Sequence, residues 1–390
     1  MTAQYRERVR DYLSEQSGEM VRLLEMLTRA ESPSSDAASQ IPVKRLIADE
    51  LDNLDFRVRS LPGRSSGGSL FASPRNRLRH NGLQLLLGHF DTVWPIGTID
   101  DMPFEIDGNV IRGPGVFDMK GGVVQIILAL RALRELELAP SVTPIVFLNS
   151  DEEIGSRESG RYVRALAQRV ERAFVMEPSL GIGGAMKTSR KGVGRFIVRV
   201  SGKAAHAGLD PESGASAILE LSHVIQQLFG MNDPERGITI NVGTIDGGIR
   251  PNVIAPQSKA VIDVRVASQA DAEHIEKAIH ALEPQTPGVS LSIDGHIGRP
   301  PLEPTPANRA LWQRAREIAR ELDMELTEAL AGGGSDGSTT SQYTATLDGM
   351  GPVGDGAHAD HEHLLLDETI ERAVLLTLLI LSPTIDEVTT

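Results

Sequence analysis

Acidic and imidazole side chains follow several apolar segments of this chain, in positions that suit metal chemistry. Five of them are candidate metal ligands: His89, Asp118, Glu153, Glu177 and His358. Asp91 follows the first of these by two residues, and Glu152 directly precedes the third. Imidazole and carboxylate ligands suit zinc. Because a carboxylate can bridge two ions while another acts as general base on water, the set predicts a two-metal hydrolase.

Each of these residues by itself also has an ordinary structural interpretation. A histidine after a strand is commonly a hydrogen-bonded structural residue, and Asp118 would serve as a helix N-cap. The Asp-Glu-Glu segment at 151–153 would be a solvated loop. Because four of the positions, namely His89, Asp118, residues 151–153 and Glu177, fall at a strand end or a helix start, we favour one shared metal site.

The choice of the last ligand depends on its position within a histidine-rich tract. Residues 354–363 contain His358, His361 and His363. His358 follows the glycine-rich turn most closely, so we take it as the candidate ligand. An incidental surface run of histidines is the alternative interpretation.

Short apolar runs predict the strands that must position these side chains. The runs lie at residues 83–87, 145–148 and 174–176. Runs of this length are typical of strands covered on both faces, and a helical pattern at 123–136 separates the first two, so a parallel α/β sheet is predicted. Ligands bind such sheets at the carboxyl ends of the strands, where His89, residues 151–153 and Glu177 lie. A further helix is predicted over residues 5–29.

The pattern changes after Lys191, where residues 195–201 alternate as a strand with one wet face would. Strand and helix signals then follow in the order β-α-β-β-α-β, the split pattern of a small α+β sandwich. We therefore expect a discontinuous catalytic domain at 1–190 and 299–390, with an inserted domain at 191–298. The exposed edge of the inserted sheet favours pairing with a second copy, so a homodimer is predicted.

The bulk composition excludes several classes of partner. The chain has 390 residues and a formal net charge of −14, which argues against binding to nucleic acid or to an anionic membrane surface. It has no cysteine, so it can form neither a disulfide nor a thiolate metal site. No apolar stretch is long enough to cross a membrane, and the charged N-terminus lacks the apolar core of a signal peptide. We expect a cytoplasmic protein.

Four motifs together carry a resemblance to a known family. They are Gly-His-Phe-Asp-Thr, Gly-Pro-Gly-Val-Phe-Asp-Met-Lys-Gly-Gly, Asp-Glu-Glu-Ile-Gly-Ser and Met-Glu-Pro. In this order, and over nearly the whole chain, the sequence resembles the co-catalytic zinc peptidases that include glutamate carboxypeptidase, aminoacylase, carnosinase-like dipeptidases and succinyl-diaminopimelate desuccinylase. The glutamate carboxypeptidase branch is the most similar. The resemblance implies an α/β catalytic domain with a mixed, largely parallel sheet, and an inserted α+β sandwich that serves as lid and dimerisation domain.

The resemblance also implies how the ligands share two metal ions. Asp118 would bridge two Zn²⁺ ions; His89 and Glu177 would complete the site of one, and Glu153 and His358 that of the other. Co²⁺ and Mn²⁺ fit the same ligand types. The peptide bond after Asp118 is expected to be cis, as it often is in this family.

Further roles follow from the same resemblance. Glu152 would be the general base, and Asp91 would hold the imidazole of His89 through its other nitrogen. Adjacent residues of an extended segment point in opposite directions, so Glu153 can bind metal while Glu152 faces the substrate. His206 would stabilise the oxyanion, often in the partner subunit's active site. Its alternative interpretation is a loop histidine that caps the following helix.

The substrate's free carboxylate would bind in the inserted domain. Asn252 and Arg265 resemble the residues that contact it, since the planar fork of an arginine bonds a carboxylate bidentately. Arg265 would otherwise be an ordinary polar-face strand residue. Gly333 and Gly334 resemble the loop that contacts the substrate backbone.

The sequence predicts an exopeptidase that cleaves the amide bond before a C-terminal amino acid, with a peptide or an N-acyl amino acid as substrate. Glutamate as the leaving residue needs a cation, for which Lys187, Arg190 and Arg299 are candidates, although all three could be surface charges. Ala185 stands where this branch is expected to carry its specificity lysine. An aminoacylase or dipeptidase with an apolar pocket is the alternative, and a non-catalytic, metal-bound peptide-binding protein is a third hypothesis.

Overall fold

Two compact units make up the chain in a computed structural model that describes residues 3–76 and 82–384. The first unit comprises Met1–Ser189, Pro304–Ala331 and Ser335–Thr390. The second, which we call the inserted unit, comprises Arg190–Glu303 together with Gly332–Gly334. The glycine cluster therefore groups with the inserted unit, although the residues on either side of it in sequence belong to the first unit.

Eleven helices occur within the described residues. In chain order they are α1 (Ala3–Glu15), α2 (Ser17–Arg29), α3 (Gln40–Asn53), α4 (Thr98–Asp101), α5 (Gly121–Glu135), α6 (Gly160–Ala167), α7 (Ala217–Gly230), α8 (Gln269–His280), α9 (Pro306–Glu321), α10 (Asp336–Thr340) and α11 (Leu366–Leu381). Two short irregular helical turns, at Val116–Lys120 and Pro211–Ser213, complete the helical structure. In the part of the chain that the structure describes, no helix is long and apolar enough to span a membrane.

Sixteen strands occur within the same described ranges. They are β1 (Phe56–Leu61), β2 (Ser69–Pro74), β3 (Leu83–His89), β4 (Glu105–Asp107), β5 (Val110–Arg112), β6 (Thr143–Asn149), β7 (Arg172–Val175), β8 (Met186–Arg190), β9 (Gly192–Ser201), β10 (Thr239–Gly247), β11 (Gln257–Val266), β12 (Ser290–Arg299), β13 (Glu328–Ala331), β14 (Ala345–Asp348), β15 (Gly354–Asp355) and β16 (His363–Leu365).

The main sheet is mixed and has the strand order β1-β2-β6-β3-β7-β14-β8-β13. Its four central strands pair in parallel, β6 with β3, β3 with β7, and β7 with β14. The strands β6 and β7 are buried along their whole length, and β3 is buried except at its first residue, as expected for apolar strands covered on both faces. The predicted α/β class with a mixed sheet is confirmed, and parallel pairing occupies its centre. A smaller four-stranded antiparallel sheet, β15-β16-β5-β4, lies in the same unit.

Helix α5 packs beside the main sheet and begins near the carboxyl end of strand β7. Twelve of its fifteen residues are buried, and the exceptions, Arg131, Arg134 and Glu135, all lie toward its C-terminal end. Its second residue, Gly122, lies so close to the main sheet that a Cβ atom there would be 2.1 Å from the carbonyl oxygen of Met176. The absence of a side chain lets α5 begin directly beside the residue that precedes Glu177.

The inserted unit is an α+β sandwich, as predicted. Its four strands are antiparallel in the order β10-β11-β9-β12, and α7 and α8 contact this sheet. Burial alternates strictly along β9, which matches the alternation of apolar and polar residues in its sequence. The strands β10 and β12 form the two edges of the sheet.

Some elements differ from the expectations. The helix predicted over residues 5–29 is two helices, because the chain leaves helical geometry at Gln16, just before Ser17 and Gly18, which have low helix propensity. Strands β8, β13 and β14 were not predicted. They are short, and only their pairing in the main sheet identifies them as strands.

Candidate metal centre

His89 ends strand β3 and is fully buried, with its two ring nitrogens in different surroundings. Its Nδ1 atom lies 3.0 Å from the carbonyl oxygen of Asp91 and 3.4 Å from that residue's Oδ1. Its Nε2 atom lies 3.4 Å from Oδ1 of Asp118 and 3.5 Å from Oε1 of Glu177. In a neutral ring that binds a cation, Nδ1–H would donate to Asp91 and the Nε2 lone pair would face the same space as the other two carboxylates.

A second imidazole lies on the other side of Asp118. The Nε2 atom of His358 is 3.1 Å from Oε2 of Glu153 and 3.5 Å from Oδ2 of Asp118. Asp118 therefore presents Oδ1 to His89 and Oδ2 to His358. Each carboxylate oxygen faces a different imidazole, which is the arrangement that a bridging ligand needs.

The two adjacent glutamates both reach this cluster. Ligand atoms of His89, Glu152 and Glu177 lie within 4.8 Å of one another, as do those of His89, Asp118 and Glu153. The sequence led us to expect Glu152 and Glu153 to point in opposite directions. Residues 152–155 form a turn rather than an extended strand, so the alternation of side chains does not apply there.

The electrostatics of the cluster are dominated by crowded carboxylates. Burial alone would lower the pKa of His89, but the nearby carboxylates of Asp118, Asp91 and Glu177 raise it well above its usual range. Burial also raises the pKa of Glu153. For Asp118 the effect of burial is outweighed by the two imidazoles, and its pKa is lowered. The site is therefore a pocket of high negative potential.

The donor set of this site fits divalent metal ions. Four carboxylates, from Asp118, Glu152, Glu153 and Glu177, converge on two imidazoles, so negative charge is in excess. The Oδ1 atom of Asp118 is buried and has no hydrogen-bond partner, a costly state for a carboxylate oxygen that a cation would relieve. Nitrogen and oxygen donors of this kind are typical of Zn²⁺, Co²⁺ and Mn²⁺ sites.

Asp91 orders the backbone of the loop that carries the glutamates. Its Oδ1 accepts the N–H of Glu152 at 3.3 Å, and its Oδ2 accepts the N–H of Glu153 at 3.2 Å. Its Oδ2 also accepts the hydroxyl of Ser34 at 2.7 Å. Sequence reasoning missed Ser34, because a serine in a Ser/Asp-rich loop carries no signal that it contacts a distant carboxylate.

A second residue missed by sequence reasoning is Glu362, which is 1% exposed. Its carboxylate accepts hydrogen bonds from the backbone of the loop that contains Asp118 and from the indole of Trp94. Burial raises the pKa of Glu362 to about 7, and the N–H donors of Asp118 and Gly115 act in the opposite direction. The only feature of the sequence that could have indicated Glu362 was its place as an acidic residue within the histidine-rich tract.

The Asp118–Met119 peptide bond is cis, as the family resemblance implied.

Lys187 belongs to the first unit and is buried in strand β8, beside Asp348 of β14. Its ammonium group contributes to the lowered pKa of Asp118. Lys187, a cation proposed for the substrate side chain, therefore acts electrostatically on the metal cluster.

His206 lies in an exposed loop of the inserted unit. Its Nδ1 atom accepts the backbone N–H groups of Gly208 and Leu209, each at 3.2 Å. The imidazole therefore orders the turn that follows it, which is close to the capping interpretation. Because Nδ1 is an acceptor, the neutral ring carries its proton on Nε2, the atom that would act as donor. The exposed Asn252 joins this loop, since its carbonyl oxygen accepts the N–H of Ala207.

Arg265 already has a carboxylate partner within the inserted unit. Its Nε and Nη2 atoms bind Asp263 bidentately at 2.8 and 3.1 Å, and its Nη1 atom lies 3.4 Å from the carbonyl oxygen of Gly332. The neighbouring glycines also lie beside arginines. Arg190 donates to the carbonyl oxygen of Gly333 at 3.1 Å. A Cβ atom on Gly334 would lie 3.1 Å from Cδ of Arg299.

A cluster of imidazoles and carboxylates at the carboxyl ends of a mixed α/β sheet is typical of metallohydrolases. The chain belongs to Peptidase family M20/M25/M40, whose sequence profile matches residues 85–382. The predicted family is therefore confirmed, and the protein is an enzyme of the peptidase and amidohydrolase class.

Individual relatives are similar over most of their length. Carboxypeptidase G2 of Pseudomonas sp. (strain RS-16) is 27% identical over 347 residues, which cover 87% of this chain and 83% of that protein. A tripeptidase of Staphylococcus aureus superposes with a TM-score of 0.74 at 17% identity, over 95% of this chain and 99% of that chain. A dinuclear metal-binding peptidase of the M20 family from Bacillus subtilis has a TM-score of 0.68 at 15% identity, over 94% of this chain and 98% of that chain. At these identities the two solved structures establish a shared fold.

Proposed function

We propose that this protein is a two-metal exopeptidase that hydrolyses the amide bond before a C-terminal amino acid. The observation that carries the proposal is the position of Asp118, which presents one carboxylate oxygen to His89 and the other to His358. The similarity to carboxypeptidase G2 supports a carboxypeptidase reaction.

The metal ligands proposed are the five residues of the cluster. Asp118 would bridge the two ions, His89 and Glu177 would bind one, and Glu153 and His358 would bind the other. Zn²⁺ is the first choice, and Co²⁺ and Mn²⁺ suit the same donors. When bound, the ions would supply Lewis acidity and make a water molecule more acidic.

The remaining steps belong to side chains of this chain. Glu152 would take a proton from the attacking water as the new C–O bond forms, and deliver it to the leaving nitrogen as the C–N bond breaks. The Nε2–H group of His206 would donate to the carbonyl oxygen as negative charge develops there. Asn252 and Arg265 would bind the substrate's α-carboxylate, while Gly333 and Gly334 would contact its backbone.

Glutamate as the leaving residue is supported by the positive charge of Lys187 near the metal cluster. A buried ammonium group in this place would pair with a side-chain carboxylate of the substrate. Arg299 is the second candidate cation. Because Arg299 lies beside Gly334, it would contact the side chain of the substrate close to the point where Gly334 contacts the substrate backbone.

An aminoacylase or dipeptidase that prefers apolar substrates is the second candidate function, and a specific observation favours it. The three loops that follow His89, Glu153 and Glu177 each carry exposed apolar side chains. These are Val93 (41% exposed), Ile96 (56%), Ile154 (41%), Leu180 (41%) and Ile182 (63%). Exposed apolar side chains in the loops that follow proposed ligands would bind an apolar acyl group or side chain.

A substrate panel tests both candidates. Zinc-loaded protein would be incubated with N-acyl amino acids, dipeptides and folate-type glutamates, and free amino acid would be measured, with Glu152→Ala as the control. Release of glutamate alone, lost in the variant, is the result expected for the carboxypeptidase. Release of apolar amino acids would support the second candidate instead. Two bound metal ions without any turnover would support a non-catalytic, peptide-binding protein.

We also propose a homodimer formed through an edge of the inserted sheet, whose two outermost strands are β10 and β12. Light scattering coupled to size-exclusion chromatography would detect it. A monomer at micromolar concentration would contradict the proposal. The cytoplasmic location stays a prediction, which cell fractionation would test.

A further inference from the structure

We infer that Glu362 is a positioning residue that sets the metal affinity of this enzyme, by fixing the loop that carries Asp118. We call Glu362 and its four donors the Glu362 clamp. The donors are the backbone N–H groups of Gly115, Phe117 and Asp118 and the indole N–H of Trp94. The inference rests on the proposed metal centre and adds to it a residue that contacts neither metal nor substrate.

The clamp uses the full accepting capacity of one carboxylate. Oε1 accepts the N–H of Phe117 at 2.9 Å and that of Asp118 at 3.0 Å. Oε2 accepts the N–H of Gly115 at 2.9 Å and the indole of Trp94 at 2.7 Å. An ionised carboxylate offers about four lone-pair sites, so each site has one donor. Because the group is almost completely buried, water would not replace a lost partner.

The backbone of this loop needs such an acceptor. Gly115 has a left-handed backbone with φ of +75°, and Asp118 departs from helical geometry with φ of −115° and ψ of 95°. N–H groups buried in an irregular turn must find acceptors outside regular secondary structure. Glu362 supplies them, and one of the bonds holds the main chain of Asp118 itself. The direction of the Asp118 carboxylate, between His89 and His358, therefore depends on this bond.

The clamp also joins three segments that each carry a proposed ligand. Glu362 follows His358 by four residues, Trp94 follows His89 by five, and the loop donors include Asp118. The segments are close-packed as well, since a Cβ atom on Gly115 would lie 2.6 Å from Cγ2 of Thr92. A change at Glu362 would therefore weaken the binding of both proposed ions.

Glu362→Gln is the informative substitution because it conserves shape and changes only hydrogen bonding. The amide NH₂ group would face two N–H donors, so two of the four hydrogen bonds would be lost. Replacing groups that orient metal ligands typically weakens metal binding by about 10- to 100-fold. Trp94→Phe is a milder variant that removes one donor and should weaken binding by about two- to tenfold.

Glu158→Gln is the matched control. Glu158 also accepts two backbone N–H groups, from Arg64 and Ser65, together with the hydroxyls of Ser65 and Ser66. The loop that it holds carries no proposed ligand. Its loss should therefore affect stability without affecting metal affinity.

The experiment measures Zn²⁺ affinity on the full-length protein by competition with a chelating dye, and the visible absorption spectrum of the Co²⁺-loaded protein. Thermal unfolding of the metal-free proteins checks that each is folded. We expect Glu362→Gln to bind Zn²⁺ at least tenfold more weakly and to show an altered Co²⁺ spectrum. Glu158→Gln should match the wild type in both readouts.

A folded Glu362→Gln protein with wild-type affinity and spectrum would overturn the inference. If this variant does not fold, Trp94→Phe decides: weakened binding supports the clamp, and unchanged binding overturns it. Wild-type protein that binds two metal ions without hydrolysing any substrate would contradict the proposed function and leave the clamp intact. Wild-type protein that binds no metal would overturn both.

Discussion

The carboxylate of Asp91 accepts the backbone N–H of Glu153, with 3.2 Å between Oδ2 and the amide nitrogen. The same carboxylate accepts the N–H of Glu152 and lies 3.4 Å from the ring of His89. One side chain therefore sets the position of an imidazole on strand β3 relative to the turn that follows β6. The proposed general base and two proposed ligands depend on it.

Asp91→Asn should lower kcat by about 10- to 100-fold and weaken metal retention, because one of its oxygens is replaced by a group that cannot accept a hydrogen bond. Steady-state kinetics and the metal content after dialysis would measure both effects. Ser34→Ala removes only the hydroxyl that donates to Asp91 and should lower kcat a few-fold at most. Asp91→Asn protein with wild-type kcat and two bound metal ions would contradict the role given to Asp91.

Asp263→Asn should lower KM about two- to fivefold for substrates with a free α-carboxylate, with little change in kcat. Asp263 occupies the fork of Arg265 that the substrate carboxylate is proposed to bind, and an exposed ion pair of this kind is worth about 0.2–1 kcal/mol. Initial rates over a range of substrate concentrations would give KM.

A substrate amide that lacks the carboxylate serves as the control for Asp263→Asn, because its KM should not change. A rise in KM for the carboxylate substrate would mean that Asp263 orients Arg265 rather than competing for it.

Removal of metal by a chelator should abolish activity, and Zn²⁺, Co²⁺ or Mn²⁺ should restore it. The metal-free protein should also unfold at a lower temperature, because the crowded carboxylates around Asp118 then lack their counter-ions. With metal at about 1,000 times its Kd, binding adds about 4 kcal/mol to the free energy of unfolding. Calorimetric scans with and without metal would measure the shift. Equal unfolding temperatures and full activity after chelation would exclude a metal centre.

A charged network on α2 predicts how stability depends on pH. Glu19 accepts hydrogen bonds from Arg22 and Arg131, and chiefly the bond from Arg22 lowers the pKa of Glu19 from 4.5 to about 2. Since the folded pKa lies below the unfolded one, the stabilisation is complete above pH 4.5 and disappears as pH falls through about 2. Glu19→Gln should therefore lower the free energy of unfolding by about 1 kcal/mol at pH 7.

Urea unfolding at several pH values between about 7 and 3 would test this, and the difference between wild type and Glu19→Gln should shrink steadily toward the acidic end. Glu25→Gln is the matched control, because Glu25 and its partner Arg29 are both exposed. Its effect should be smaller at every pH. A difference for Glu19→Gln that does not change with pH would show that its carboxylate charge is not what stabilises the helix.

The sequence alone determined the family, the α/β class and the candidate ligands. The physical reason is local: short apolar runs must be central strands, and polar residues directly after such runs must lie at the carboxyl edge of the sheet. The positions of His89 and Glu177 follow from this rule alone. The four motifs then connected these positions to one family.

Tertiary structure decided what depends on contacts between distant segments. The tract at 354–363 offers three histidines, and the sequence could not decide among them. The fold decides, because it places His358 within 3.5 Å of Asp118 and Glu153. The turn at 152–155 sends Glu152 and Glu153 to the same cluster, which the alternation rule for extended chains could not foresee. Glu362 remained hidden because its donors are mainly main-chain N–H groups, which nearly every residue has. A side chain that orders backbone is visible only when the path of that backbone is known.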